Sequence, residues 1–246
     1  MLVLSAVAEA QNQPLFLDGR RGENPAVIDV TEINEAYPKA AVREYEKGVG
    51  DARKGKRDGA QKHLEEAIRI EPDFFNAHNS LAILFQDMSR YGDAEREYTE
   101  ALRLNPRSVA PLVNIASLHI EESFSYADSD PRKSRAKLND ALARLNQALA
   151  AEPSNPVAFY YTGVVYYLTS FFEEAESYFK RALESGDRRM KPARLALADI
   201  YVRLQEWDSV VVQLEAYLKE VPFATNRKTI LHVRDVAVQN LKAPRK

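Results

Sequence analysis

The chain has 246 residues, 45% of them hydrophobic, with 34 Lys and Arg against 36 Asp and Glu and a net charge of -2. That length can bury a core, while the balanced charge supplies no overall field to attract nucleic acid or an anionic membrane. Cysteine is absent, which excludes disulfides, thiolate zinc sites and thiol nucleophiles, and no apolar run approaches the roughly 18 residues of a membrane-spanning helix.

Residues 1–10 read as a signal-like leader, apolar from Leu2 to Val7 and small at Ala8 and Ala10 before Gln11. No basic stretch precedes the apolar run, so a cytoplasmic location is favoured, with a periplasmic or secreted one as the alternative. In the segment 11–40, "PLFLDGRRGENPAVIDVTEI" (14–33) sets turn formers between two short β-prone runs and predicts an extended stretch or a small hairpin.

From residue 41 the chain repeats. Pro72, Pro106, Pro153 and Pro222 are separated by 34, 47 and 69 residues: one period, one period with thirteen extra, and two periods with one extra. Five residues before these prolines stand Ala67, Ala101, Ala148 and Tyr217, eight before stand Leu64, Tyr98, Leu145 and Leu214, and twelve before stand Ala60, Ala94, Ala141 and Val210. Offsets of four and three place each trio on one stripe of a helix, and the proline then ends it. Twenty-four residues before a proline, Gly48, Ala82 and Ala198 lie in an earlier helix, where a small side chain allows close approach. A further unit keeps Gly163, Tyr166, Ala175, Phe179 and Ala182 in the same frame and stops at Gly186 instead. The units are 41–74, 75–108, 109–155, 156–190 and 191–224.

The third unit is longer by 13 residues, carried within "SFSYADSDPRKSRAKL" (123–138). Asp130 followed by Pro131 predicts a helix start and a second helix of about 131–151, two turns longer than its siblings. The resulting ledge reads equally as a tolerated extension and as a second contact surface. Residues 225–246 predict a capping helix with Ile230, Val233, Ala237 and Leu241 on one stripe, followed by a basic tail. That tail offers the alternative reading of an anionic-surface or nucleic-acid contact.

Two other patterns carry little chemistry. "GDARKGKR" (50–57) has phosphate-loop glycine spacing, but Arg57 stands where Ser or Thr would hold magnesium, so nucleotide binding is the remotest alternative. His63, His78, His119 and His232 are scattered without metal-ligand spacing, and no catalytic, metal or cofactor site is expected.

The recurring positions resemble the tetratricopeptide repeat (TPR) family over residues 41–224. Phe75 to Ser108 carries the resemblance best, with Leu81, Ala82, Phe85, Tyr91, Ala94, Tyr98, Ala101 and Pro106 at the family's signature positions; Asp51, Val210 and Tyr217 depart from it. It implies an all-α, right-handed helical-hairpin solenoid of about five units with a C-terminal cap, acting as a non-catalytic scaffold for a protein or peptide. The resemblance places a concave groove on Tyr45 in the first unit, on Asn76, Asn79, Ile83 and Gln86 in the second, and on Asn114 and Ser117 in the third. In the fourth and fifth units it adds Tyr160, Tyr161, Val164 and Tyr167, then Asp199 and Arg203. The amides are expected to hydrogen-bond an extended backbone and the tyrosines to stand exposed as pockets, with packing on the next repeat as the alternative. Tyr45, Val49, Ser80 and Ala110 occupy positions where a carboxylate-clamping member would carry Lys, Arg or Asn, so a chaperone-tail receptor is not expected.

Overall fold

The computed structural model describes residues 36–242, so the leader, the segment up to residue 35 and the last four residues lie outside the described part. The described residues form eleven α-helices and no strand. They fall into two compact units, 36–153 and 154–242.

The first unit holds three hairpins: α1 (Lys39–Arg53) with α2 (Arg57–Ile70), α3 (Phe75–Asp87) with α4 (Tyr91–Leu104), and α5 (Val109–Tyr126) with α6 (Pro131–Ala151). The second holds α7 (Pro156–Leu168) with α8 (Phe172–Glu184), then α9 (Pro192–Leu204) with α10 (Trp207–Glu220), and the closing α11 (Arg227–Lys242). This is the all-α helical-hairpin class expected from the repeat.

The two helices of a hairpin differ in kind. The second is amphipathic and buries a thin stripe: Ala60, Leu64 and Ala67 in α2, Ala94, Tyr98 and Ala101 in α4, Ala175, Phe179 and Ala182 in α8. Its small ends admit the partner helix and its large centre fills the gap. From the second hairpin on, the first helix is buried on most sides, with ten of thirteen residues buried in α7. A helix apolar all round must be enclosed.

Four of the five repeats also stop alike. Glu71, Asn105, Glu152 and Val221, the residues before the four prolines, leave the helical region, with φ between -138° and -129°. Each donates its N–H to the carbonyl four residues earlier, that of Ala67, Ala101, Ala148 and Tyr217 respectively. Proline forbids the helical conformation to its predecessor, so the sequence places the stop to the residue.

Turns inside four hairpins share a left-handed residue: Gly55, Ser89, Ser170 and Gln205 have φ of 71°, 57°, 66° and 59°. The residue after each donates back to the carbonyl five positions earlier, as Arg90 does to Phe85 and Phe171 to Tyr166, closing a Schellman-type turn. Only the first turn uses glycine.

Asp130 caps α6 by accepting from the Lys133 N–H at 3.0 Å, with Pro131 in the first turn. The extra length is shared, since α5 has 18 residues and α6 has 21, against 13 and 14 in α3 and α4. In α11 the buried stripe is Ile230, Val233, Val236 and Ala237, and Leu241 is exposed. That corrects the expected stripe: Leu241 lies in the final turn, past the reach of its neighbour.

Candidate partner-binding face

In the first unit, the residues expected to clamp a peptide backbone bond to each other across repeats. Asn114 Nδ2 donates to Asn79 Oδ1 at 3.2 Å, and Gln86 Nε2 donates to Glu121 Oε1 at 2.8 Å and to Ser117 Oγ at 3.4 Å. Tyr98 donates its hydroxyl to Gln86 Oε1 at 2.9 Å, and Ser80 donates to the Tyr45 hydroxyl at 3.4 Å. Most of these bonds join residues 31 to 35 apart, so the ladder steps once per repeat. Asn79, Gln86, Asn114 and Ser117 are buried, while Asn76 and Ile83 are half-buried beside them. Tyr45 is also buried, its ring 5.1 Å from that of Phe74. The expectation of an exposed amide groove is corrected at these positions: a buried amide needs partners, and the neighbouring repeat supplies them.

The second unit corrects the aromatic expectation likewise. Tyr160 and Tyr167 are only 9% and 4% exposed, and Tyr161 and Val164 are buried with them. Tyr160 lies 5.8 Å from the Phe179 ring and Tyr167 5.7 Å from Phe172, both across the hairpin on α8. Tyr166, expected in the core, is instead half-buried and stacks on Tyr178 at 5.5 Å. The aromatic spacing was legible, but on a helix apolar all round it does not say which ring faces outward.

Tyr167, Asp199 and Arg203 do converge. Arg203 Nε donates to the Tyr167 hydroxyl at 3.1 Å, and its guanidinium lies 5.4 Å from the Tyr167 ring centre and 5.5 Å from that of Phe172. Burial, reinforced by the Asp199 carboxylate, pushes the Tyr167 hydroxyl up to about 12, so it stays a neutral donor and acceptor.

Three histidines have glutamate neighbours that their sequence spacing did not reveal. His63 Nδ1 meets Glu44 Oε2, and His78 Nδ1 meets Glu97 Oε2, each at 2.7 Å and across 19 residues; His119 Nε2 lies 3.5 Å from Glu95. The 19-residue interval is the step across one hairpin. No cluster among the described residues gathers three metal-type ligands. Residues 50–57 form the turn from α1 into α2, a helix-to-helix connection without the strand that a phosphate loop requires.

Residues 134–189, from within α6 through α7 and α8 to the turn that follows, match the tetratricopeptide repeat family model. The helix stripes, proline stops and hairpin turns described above recur outside that match as well. The chain carries tetratricopeptide-repeat sequence over residues 134–189.

This TPR protein is 25% identical over 189 residues to the type IV pilus assembly protein PilF of Pseudomonas aeruginosa, covering 75% of this chain and 67% of that one. It also resembles a solved TPR protein of Thermus thermophilus, with TM-score 0.65, 20% identity, and 83% and 100% of the two chains covered. A third resemblance is to PilW, a type IV pilus biogenesis factor, with TM-score 0.60, 17% identity, and 83% and 91% covered. The structural likenesses establish the fold alone. That fold is generally a non-catalytic framework for protein partners.

Proposed function

We propose that this TPR protein is a non-catalytic scaffold that holds a protein segment along the first helices of its hairpins. One observation carries the reading: the repeat-to-repeat amide ladder of Asn79, Gln86, Asn114 and Ser117 fixes the spacing of α3 and α5, with half-buried Asn76 and Ile83 alongside. A preorganised face loses little freedom on binding, so a few contacts suffice. In the second unit half-buried Arg203, held by the Tyr167 hydroxyl, offers a polar contact of its own, over a buried layer of Tyr160, Tyr161, Val164, Tyr167 and Asp199.

The partner class we infer from PilF is a component of type IV pilus assembly, since the likeness spans three quarters of this chain. Co-purification from native extract tests both steps, with wild type beside Asn76→Arg combined with Ile83→Glu after their melting is matched. Pilus components are expected with the wild type and not with the variant; a lost anchor of about 2 kcal/mol weakens binding roughly thirtyfold. Equal recovery by both proteins would sink the face, and recovery of other partners alone would sink the pilus assignment.

A further inference from the structure

Phe223 is 96% exposed, the most exposed large apolar side chain of the described residues. It follows Pro222 in the turn between α10 and α11. The residues in the same register of the other repeats, directly after Pro72, Pro106 and Pro153, are Asp73, Arg107 and Ser154, all polar. A turn position that solvates well everywhere else therefore carries a bare aromatic ring here, at a cost in solvation that no packing recovers.

Cations are held on the residues just before it. The turn from α8 into α9 is brought against the end of α10 by Lys191, whose Nζ donates to the Glu220 carbonyl at 2.8 Å, and by Arg194, whose Nε donates to Glu220 Oε1 at 3.0 Å. From the other side, Arg227 Nη1 donates to the Pro222 carbonyl at 3.1 Å. Residues 187–194 and 220–228 together hold six Lys and Arg against Asp187 and Glu220, an excess of four in a chain whose net charge is -2. Asp187 is taken by Arg189 and Glu220 by Arg194, which leaves Arg188, Lys191, Arg227 and Lys228 without a carboxylate partner among the described residues. Arg188 and Lys228 are exposed.

We infer that this edge of the second unit docks on an anionic membrane surface, with Phe223 entering the headgroup region and Arg188, Lys191, Arg227 and Lys228 facing lipid phosphates. A ring on the crest of a turn is a wedge, suited to a deformable surface, whereas an acidic peptide would need a cavity to receive its side chains. The cations supply attraction within a Debye length and the ring supplies depth, the pair of signals that peripheral attachment needs.

Co-sedimentation of the full chain with vesicles tests it, using phosphatidylcholine alone and phosphatidylcholine with one third phosphatidylglycerol. Binding is expected to the anionic vesicles only and to fall steeply with added salt. Phe223→Ser should lower it severalfold, and Arg188→Glu with Lys228→Glu by at least about tenfold, as each cation near the surface is worth roughly fivefold. Neither Arg188 nor Lys228 makes a polar contact among the described residues, so their variants should melt like the wild type. In a Trp207→Phe background, Phe223→Trp should shift its fluorescence to the blue on adding anionic vesicles. Absence of vesicle binding, or binding that survives both sets of substitutions, would overturn the inference. So would tight binding of polyglutamate without vesicle binding, which would make the partner an acidic protein.

Discussion

A Cβ added to Gly163 would stand 2.9 Å from two carbons of the Phe179 ring, closer than side chains pack. Phe179 is fully buried in α8, so the ring has nowhere to retreat. Gly163→Ala should therefore destabilise the protein by about 1–2 kcal/mol, overpacking outweighing the gain in helix propensity. Gly50, in α1 with nothing near its Cβ position, is the control: Gly50→Ala should stabilise by roughly 0.5–1 kcal/mol. Urea denaturation of the two variants decides; stabilisation by both would mean that α7 and α8 are not held this closely.

His78 and His119 should give stability opposite pH slopes. His78 Nε2 faces the Pro72 carbonyl at 2.9 Å and its Nδ1 faces the Glu97 carboxylate, so both nitrogens serve as donors in the charged ring. Burial opposes that charge, but the Glu97 and Pro72 contacts outweigh it and hold the pKa above its usual value. The folded state keeps this proton longer than the unfolded one, so the contribution is full below about pH 6.5 and is lost as pH rises through the folded value. For His119 burial, aided by Lys137, lowers the pKa despite Glu95 and Glu122. There the unfolded chain takes up the proton first, so stability is lost as pH falls below about 6.5. His78→Gln should leave stability rising with pH over this range and His119→Gln should leave it falling, read from unfolding free energies at several pH values.

The left-handed turn residues can be improved one repeat at a time. Ser89, Ser170 and Gln205 hold a conformation that costs a side-chain-bearing residue about 1 kcal/mol, and glycine adopts it freely. Each Gly substitution should raise the melting temperature, by up to about 1 kcal/mol in stability, whereas Gly55→Ala should lower it. Lower stability in all three glycine variants would show that these turns are not left-handed in solution.

Removing the Asp130 cap should cost about 1 kcal/mol and be felt first at the start of α6. Amide exchange in Asp130→Ala is expected to quicken at Lys133 and Ser134 while α3 and α4 keep their protection. Uniform loss across the unit would mean that the ledge is part of one cooperative core.

Truncating the buried tyrosines should unfold rather than merely disarm. Tyr160→Ala and Tyr167→Ala should each lose about 3 kcal/mol or more, comparable to removing a core aromatic. By ultraviolet titration, Tyr167→Phe should remove a hydroxyl that ionises only near 12. Unchanged melting of the alanine variants would place these rings back in solvent.

The repeat was legible because its signals are local and recur. Proline at Pro72, Pro106, Pro153 and Pro222 denies its predecessor the helical region wherever it stands, and the Ala-Leu-Ala or Ala-Tyr-Ala stripe needs only helix periodicity to be read. Hence the helical class, the hairpin stops and the extended α6 followed from residue order. The partner-facing surface was less legible: in α5 and α7 apolar residues surround the axis, and periodicity gives no direction to a helix without a polar side. The Asn79 and Asn114 amides showed the same ambiguity, since an amide that can meet a peptide can equally meet its counterpart one repeat away.

What residue order determined by itself was the sequence of helices and turns, through steric limits on single residues and the spacing of side chains on one helix. Only the tertiary structure decided that Asn114 spends its amide on Asn79, that Tyr160 and Tyr167 turn toward Phe179 and Phe172, and that Lys191 and Arg227 bond to the Glu220 and Pro222 carbonyls beside exposed Phe223. Those outcomes depend on distances between residues far apart along the chain, set by how closely neighbouring helices pack and left undefined by any local rule.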